Sequence, residues 1–419
     1  MFEAFREEDY RPFWITQFIS NIGSWMQHVA QGWLVYRLTD SPFLLGFVGF
    51  AATAPALVLM LPGGVLADRL NRKRVVALSQ IAQALCALWL AMAIRTGRIE
   101  VWQIIAAAVV VGIAQSFSAP AFQAMVVDLL EDRTRLANAV AMNSLQFNLS
   151  RAVGPLLAGA ALSAWGSFWC FLLNALSFLP LVWVLYTTRD RQAYVDASVP
   201  LFTRLAEGIA FVRGDRIVLL LIAVVAAASL FGYPFMSLMP IVARQLFSDD
   251  ARGLGYLTAA VGAGALCGAL AISARTPRRA IPLISLFLVM FGLALGSAAA
   301  FRSVRTVLVL FFICGTSMVV SLALCNTTIQ QRIPDTLRGR VLSMYTFAFF
   351  AFIPFGNLVA GLAAEKRGIT NALLILAGGL IASGVSAGLL LRSAERVENL
   401  LDRGAAAGVH GDVANGEAG

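Results

Sequence analysis

Five polar residues, Gln17, Asn21, Ser24, His28 and Gln31, follow one another at alternating steps of four and three in an otherwise apolar stretch. Those steps put all five on one face of an α-helix. The chemistry on offer is hydrogen bonding, from amides and a hydroxyl that both donate and accept, plus one imidazole that exchanges a proton near neutral pH. Shorter sets repeat the pattern: Gln115 with Ser118, Ser229 with Tyr233 and Ser237, and Ser317 with Ser321. A lone Arg151 interrupts another apolar run. Its guanidinium stays charged at any physiological pH and suits anions of planar, forked geometry. Nothing here is arranged for covalent catalysis. The only histidines are His28 and His410, and Cys86, Cys170, Cys267, Cys314 and Cys325 stand singly inside apolar runs. No nucleophile has a neighbouring base and no cysteine pair has metal-ligand spacing, so neither catalytic residues nor a metal or other bound cofactor is expected.

The elements that must carry these residues are long and greasy. The chain has 419 residues, 59% of them hydrophobic and only 13% charged. A soluble domain carries about a quarter charged residues, so one soluble core cannot hold this composition. Twelve stretches reach the ~20 apolar residues that a bilayer crossing needs. They run from 12–38 to 370–391, and a lipid bilayer is the implied partner. The fold class expected is therefore an all-α membrane protein with 12 transmembrane helices. The first residues, MFEAFREEDYRPFW, are too acidic for a signal peptide, so the first crossing is expected to be uncleaved.

The net charge of +9 does not point to nucleic acid, because the basic residues sit in short clusters between apolar runs. Of the 32 Lys and Arg, 22 fall on the side that holds both termini, nine on the other, and Arg151 alone within a crossing. That asymmetry predicts cytoplasmic termini. Arg151 lies about 20 Å from the inner end of its helix at ~1.5 Å per residue, near the midplane. A charge there is expensive and is either a functional group or a structural tie. No Asp or Glu occupies the middle of any crossing to pair with it.

The connection from 188 to 216 is the longest inside the chain. Leu201, Leu205, Ile209 and Val212 recur in it at helical spacing. An amphipathic helix on the membrane face or a plain linker would both fit. It separates a six-crossing lobe at 1–187 from another at 217–391, with a tail at 392–419 expected to be disordered. The hexapeptide GPLLAG at 154–159 recurs as GNLVAG at 356–361, and RLNRK at 69–73 recurs as RTPRR at 275–279. Two pseudo-symmetric six-helix lobes joined by a long inner loop point to a transporter with its site between the lobes.

The segment GGVLADRLNRKRVV, residues 63–76, resembles the loop between the second and third helices of the major facilitator superfamily, G-x-L-x-D-R-x-G-R-[KR]. Gly64, Asp68, Arg69, Arg72 and Lys73 occupy its positions, and Asn71 stands where the family prefers glycine. SRAVGPLLAG, with Gly154, Pro155 and Gly159, is similar to the fifth-helix motif of exporters and antiporters, with Ala158 in place of one glycine. The stretch beginning FWITQFISNIGSW resembles the branch that holds enterobactin-exporter-like, macrolide-efflux-like and transmembrane secretion effector proteins.

The resemblance implies a secondary active transporter of the bacterial inner membrane, working as a monomer. It would export a small organic molecule, siderophore or drug-like, with the proton gradient as energy source. An importer and a broad-specificity pump stay open. The helix-one stripe would face the central cavity, or else tie helices together. Gly64 would let helix two approach the opposite lobe. Asp68 would pair with Arg72 and Asp128 as a lock on the outward-open state, or merely balance a basic stop signal. The second copy of the loop has Ala274 where the acid would be.

Overall fold

The computed structural model describes residues 3–188, 201–248, 251–274, 280–334 and 337–416, with the side chains of 61–69, 201–206, 273–274 and 397–416 outside the described set. Among these residues every regular element is helical. The first six long helices are α1 (Tyr10–Thr39), α2 (Pro42–Arg69), α3 (Arg72–Arg95), α4 (Val101–Asp128), α5 (Leu136–Trp165) and α6 (Ser167–Thr187). A short α7 (Leu201–Gly214) occupies the long connection. Then come α8 (Arg216–Gly232), a 3-10 turn, α9 (Met239–Phe247), α10 (Ala251–Ala274), α11 (Ala280–Ala300) and α12 (Val304–Arg332). The last, α13 (Arg338–Gly416), is broken at Gly368, whose φ of 82° is open to glycine and not to a helix.

Nine of these described segments are long and apolar enough to cross a membrane. Helices α1 and α5 fall outside that set. Both carry runs of Gln, Asn and Ser, and α5 carries Arg151. Exposed aromatics cluster at both ends of the bundle, Trp102 and Trp165 at one, Trp183 and Tyr186 at the other. Rings with a polar edge favour the level of lipid headgroups.

Without water to drive association, helices in lipid pack through small residues that let backbones touch. The repeated hexapeptides mark two such places. A Cβ on Gly159 of α5 would lie 3.1 Å from Cα of Gly255 in α10, and a Cβ on Gly361 of α13 3.0 Å from Cα of Gly46 in α2. Each copy of the motif thus carries a glycine into contact with a helix of the opposite half.

The helix ends alternate between two faces of the bundle. The near end holds the N-terminal segment, and the far end holds the turn after α1. At the near end Glu7 accepts from Arg135 Nη1 at 2.7 Å and from the backbone N–H of Glu131 at 2.9 Å, tying the N-terminal segment to the α4–α5 connection. Hydrogen bonds from Thr134 Oγ1 and its backbone N–H hold the Asp132 carboxyl below the usual carboxylate range. The stretch after Arg403, expected to lack order, continues as helix to Gly416. Three consecutive alanines, 405–407, favour that state.

Candidate functional site

A cavity of about 560 Å³ lies within the bundle. The whole helix-one stripe lines it: Gln17, Asn21, Ser24, His28 and Gln31, joined by Gln115 and Ser118 of α4. The stripe is also bonded along itself, with Gln17 Nε2 donating to Asn21 Oδ1 at 2.9 Å. Residues that the sequence reading passed over add to the wall, among them Gln27 of α1, Gln80 and Gln83 of α3, Gln123 of α4, Asn143 and Gln146 of α5, and Asn174 of α6. Gln115 Nε2 donates to Gln83 Oε1 at 3.0 Å, and Gln83 in turn donates to Ser79. Gln80 and Gln83 sit three apart, as do Asn143 and Gln146, so the signal that picked out α1 was present on α3 and α5 as well.

Tyr233 is the second-half residue in this lining. The other residues expected in the cavity lie elsewhere. Ser229 and Ser317 are buried with Oγ atoms that lack a hydrogen-bond partner, and Ser321 Oγ donates to the carbonyl of Met318. Ser237 donates to Asn357 Oδ1 at 3.0 Å and lines a separate small cavity of about 60 Å³ between the halves. A four-residue step shows that two hydroxyls share a face; it does not show which neighbour that face meets.

Arg151 is also outside the lining. It is 3% exposed, and its guanidinium crosses from the first half into the second. Nη2 lies 3.5 Å from Met236 Sδ and 4.0 Å from Met318 Sδ, and Cζ lies 5.6 Å from the centroid of the Trp25 ring. Thioether sulfur is a weak acceptor and an indole face a modest cation partner. Nε has no hydrogen-bond partner at all. Trp25 and Tyr233, the two aromatic neighbours of Arg151, both line the cavity and stand between the polar space and the buried charge.

The motif around Arg151 explains its seating. A Cβ on Gly154 would stand 2.6 Å from Trp25 Cβ, so its absence brings α1 against α5. Pro155 has no N–H to give the carbonyl four residues back, that of Arg151. Gly262 of α10 presses on this carbonyl; a Cβ there would lie 2.4 Å from it.

In the charged loop, Arg72 Nη1 meets Asp128 Oδ2 at 2.8 Å, with both side chains about nine-tenths buried. Lys73 Nζ donates to the carbonyl of Thr188 at 2.8 Å. Asn71 has φ −66° and accepts from Arg74 N at 3.0 Å, so it caps α3 rather than taking the left-handed backbone. The side chains at Asp68 and Arg69, the surroundings of Gly64, and 275–279 lie outside the described residues. Asp128→Ala removes one partner of the buried Arg72 guanidinium and should destabilise the protein, by at most about 3–5 kcal/mol. Thermal denaturation of the purified protein checks this, and Arg72→Met with Asp128→Leu should recover most of the loss.

At the far end the halves are held together. Arg244 Nη1 meets Asp40 Oδ1 at 2.6 Å and lies over the Tyr36 ring. Glu365 Oε2 accepts from Ser41 Oγ at 3.0 Å and from the backbone N–H of Phe43 at 3.1 Å, so an acid from α13 caps the start of α2.

The profile of the family described as transmembrane secretion effector matches residues 1–403. The chain is 24% identical to the staphyloferrin A transporter of Staphylococcus aureus, over 87% of this chain and 91% of that one. It is 26% identical to the multidrug efflux pump Tap of Mycolicibacterium fortuitum, over 89% and 93%, and 23% identical to macrolide efflux protein A of Streptococcus pyogenes, over 88% and 92%. In fold it is similar to a bacterial homolog of the human lysosomal transporter Spinster in an inward-facing, unoccupied conformation, with a TM-score of 0.75, 14% identity and 94% and 99% coverage. The chain thus belongs to the transmembrane secretion effector family of major facilitator transporters, and it is a membrane transporter.

Proposed function

We propose that this transporter exports a small organic molecule by alternating access across the bacterial inner membrane. Twelve crossings in two lobes support this reading: the nine apolar segments, the polar α1 and α5, and a second crossing after the break at Gly368. The near end is cytoplasmic by its excess of Lys and Arg. The protein works as a monomer and draws on the proton gradient; His28, the histidine of the stripe, is the titratable group best placed to serve it. Two of the three relatives named above are efflux proteins, and the third carries a siderophore.

The observation that carries the reading is the polar cavity in the middle of an apolar bundle. A helix face that only anchors a chain in lipid has no use for five aligned polar groups. Closure at the far end supplies the second element of the cycle. Contacts between the halves form there, and they must part for the cavity to reach that side.

Asn21→Leu and His28→Leu should each lower transport at least tenfold in a cellular efflux assay against siderophores and drugs. Ile15→Leu and Ile19→Leu, on exposed positions of α1, should leave it unchanged. Four variants of equal activity would overturn the reading.

A further inference from the structure

The cavity wall is uniform in chemistry. Among the described lining residues eight are glutamine and three are asparagine, and none is Asp, Glu, Lys or Arg. Aromatic faces from Trp25, Phe122, Phe147, Phe178 and Tyr233 interleave with the amides. We infer that the cavity selects an uncharged organic molecule with a hydroxyl-bearing edge and an apolar face, and that it does so by amide hydrogen bonding rather than by charge.

The described lining supplies no carboxylate for a cation. For an anion the structure offers Arg151, which lies over the Trp25 ring and is not part of the lining, and His28, which lines the cavity and is charged only when protonated. With His28 neutral, a charged ligand would therefore lose hydration in the middle of a membrane protein without gaining an ionic partner in the described lining. A neutral ligand avoids that loss.

The amides also show what the ligand must bring. They are bonded largely to one another: Gln17 to Asn21, Gln115 to Gln83, and Asn174 to Gln27 at 2.7 Å. Two buried acceptors are left over, Gln17 Oε1 and Gln80 Oε1, each on a residue more than nine-tenths buried and each lining the cavity. A buried amide oxygen without a donor is unfavourable, and a ligand O–H relieves it. A hydroxyl both donates and accepts, so it satisfies an amide in either orientation. Aromatic rings between the amides suit the apolar face of a sugar or a fused ring. The volume, about 560 Å³, matches one drug-sized molecule.

This inference rests on the cavity being the transport site. The test uses full-length protein in nanodiscs and one aryl-glucoside scaffold in three forms, differing at a single carbon: neutral hydroxymethyl, carboxylate and ammonium. Calorimetry should show the neutral form binding at least tenfold tighter than both charged forms. Gln17→Leu and Gln80→Leu should each weaken it at least fivefold, and Ile19→Leu should not. A gain of function guards against misfolded variants. Gln115→Glu at pH 8 should reverse the order, so that the ammonium form binds at least tenfold tighter than the neutral one. If a charged form binds wild type as well as the neutral form, and Gln17→Leu weakens it, the cavity is the site and the selectivity inference is wrong. If a charged form binds and none of the three glutamine variants alters it, the cavity reading falls as well. Failure of all three forms to bind wild type overturns the selectivity inference.

Discussion

Gly46→Val should reduce transport at least tenfold while the protein reaches the membrane at wild-type levels. A Cβ at this position would lie 2.3 Å from the carbonyl oxygen of Asn357 and 2.9 Å from Cα of Gly361. Both obstacles are backbone of the opposite half, so no rotamer change can clear them. Overpacking of this kind costs about 1–3 kcal/mol or more. The contact joins two halves that must separate during the cycle, so the cost falls on one conformation and not on folding. A bias of that size shifts a two-state balance by about 5–150-fold. The far end should then stay open. Ser237 lies between the halves and bonds to Asn357, so a cysteine placed there reports the opening. In a background without native cysteines, its labelling from the far side should rise in Gly46→Val. Gly378→Ala is the control, because a Cβ there meets nothing within 4 Å. Unchanged rate and unchanged labelling would mean that the α2–α13 crossing does not gate the cycle.

Arg151→Met should stabilise the conformation described here and slow transport at least tenfold. The guanidinium has left water and gained two thioethers, an indole and the Tyr233 phenol in exchange. No carboxylate compensates the lost hydration, and Nε is unbonded. Replacing buried ionic groups by apolar ones of similar volume is often stabilising, by about 1–4 kcal/mol. Methionine matches the Met236 and Met318 that surround the site. If the halves part, the charge regains water, so its burial works against the closed far end. Removing it takes away that opposing force and leaves the closed state too stable to leave quickly. The midpoint of thermal denaturation should rise and far-side labelling at position 237 should fall. A midpoint that drops as for a broken ion pair would show that Arg151 has a partner beyond the sulfurs, the indole and Tyr233.

The membrane class of the fold was legible because hydropathy and length act locally along the chain. The two polar helices show where such reading works best. The alternating steps on α1 located the face that lines the cavity, because a polar face within lipid has few places to go. The same argument applied to α3 would have added Gln80 and Gln83. The second half was harder to read. Ser229 and Ser317 have the spacing of cavity residues, yet their faces turn into packing between helices, which no step size reports. Arg151 was visible as an anomaly, but its surroundings come from Trp25, Met236 and Met318, distant in sequence. The repeated hexapeptides were legible as a duplication. That each would press a glycine into the other half depended on a partner glycine, Gly255 or Gly46, that carries no signature of its own.

The clasp between the halves at the far end and the ion pair within the first half at the near end differ in their access to water. Asp40 and Arg244 at the far end are 71% and 43% exposed, whereas Asp128 and Arg72 at the near end are 9% and 10% exposed. Dissolved ions screen exposed charges over a distance of about 8 Å at physiological ionic strength and barely reach buried ones. Salt on the far side therefore loosens the clasp between the halves, and salt on the near side leaves the buried pair intact. The resting balance between the two conformations becomes a function of the medium on a single side of the membrane, and a vesicle with unequal salt inside and out is not equivalent to its mirror image.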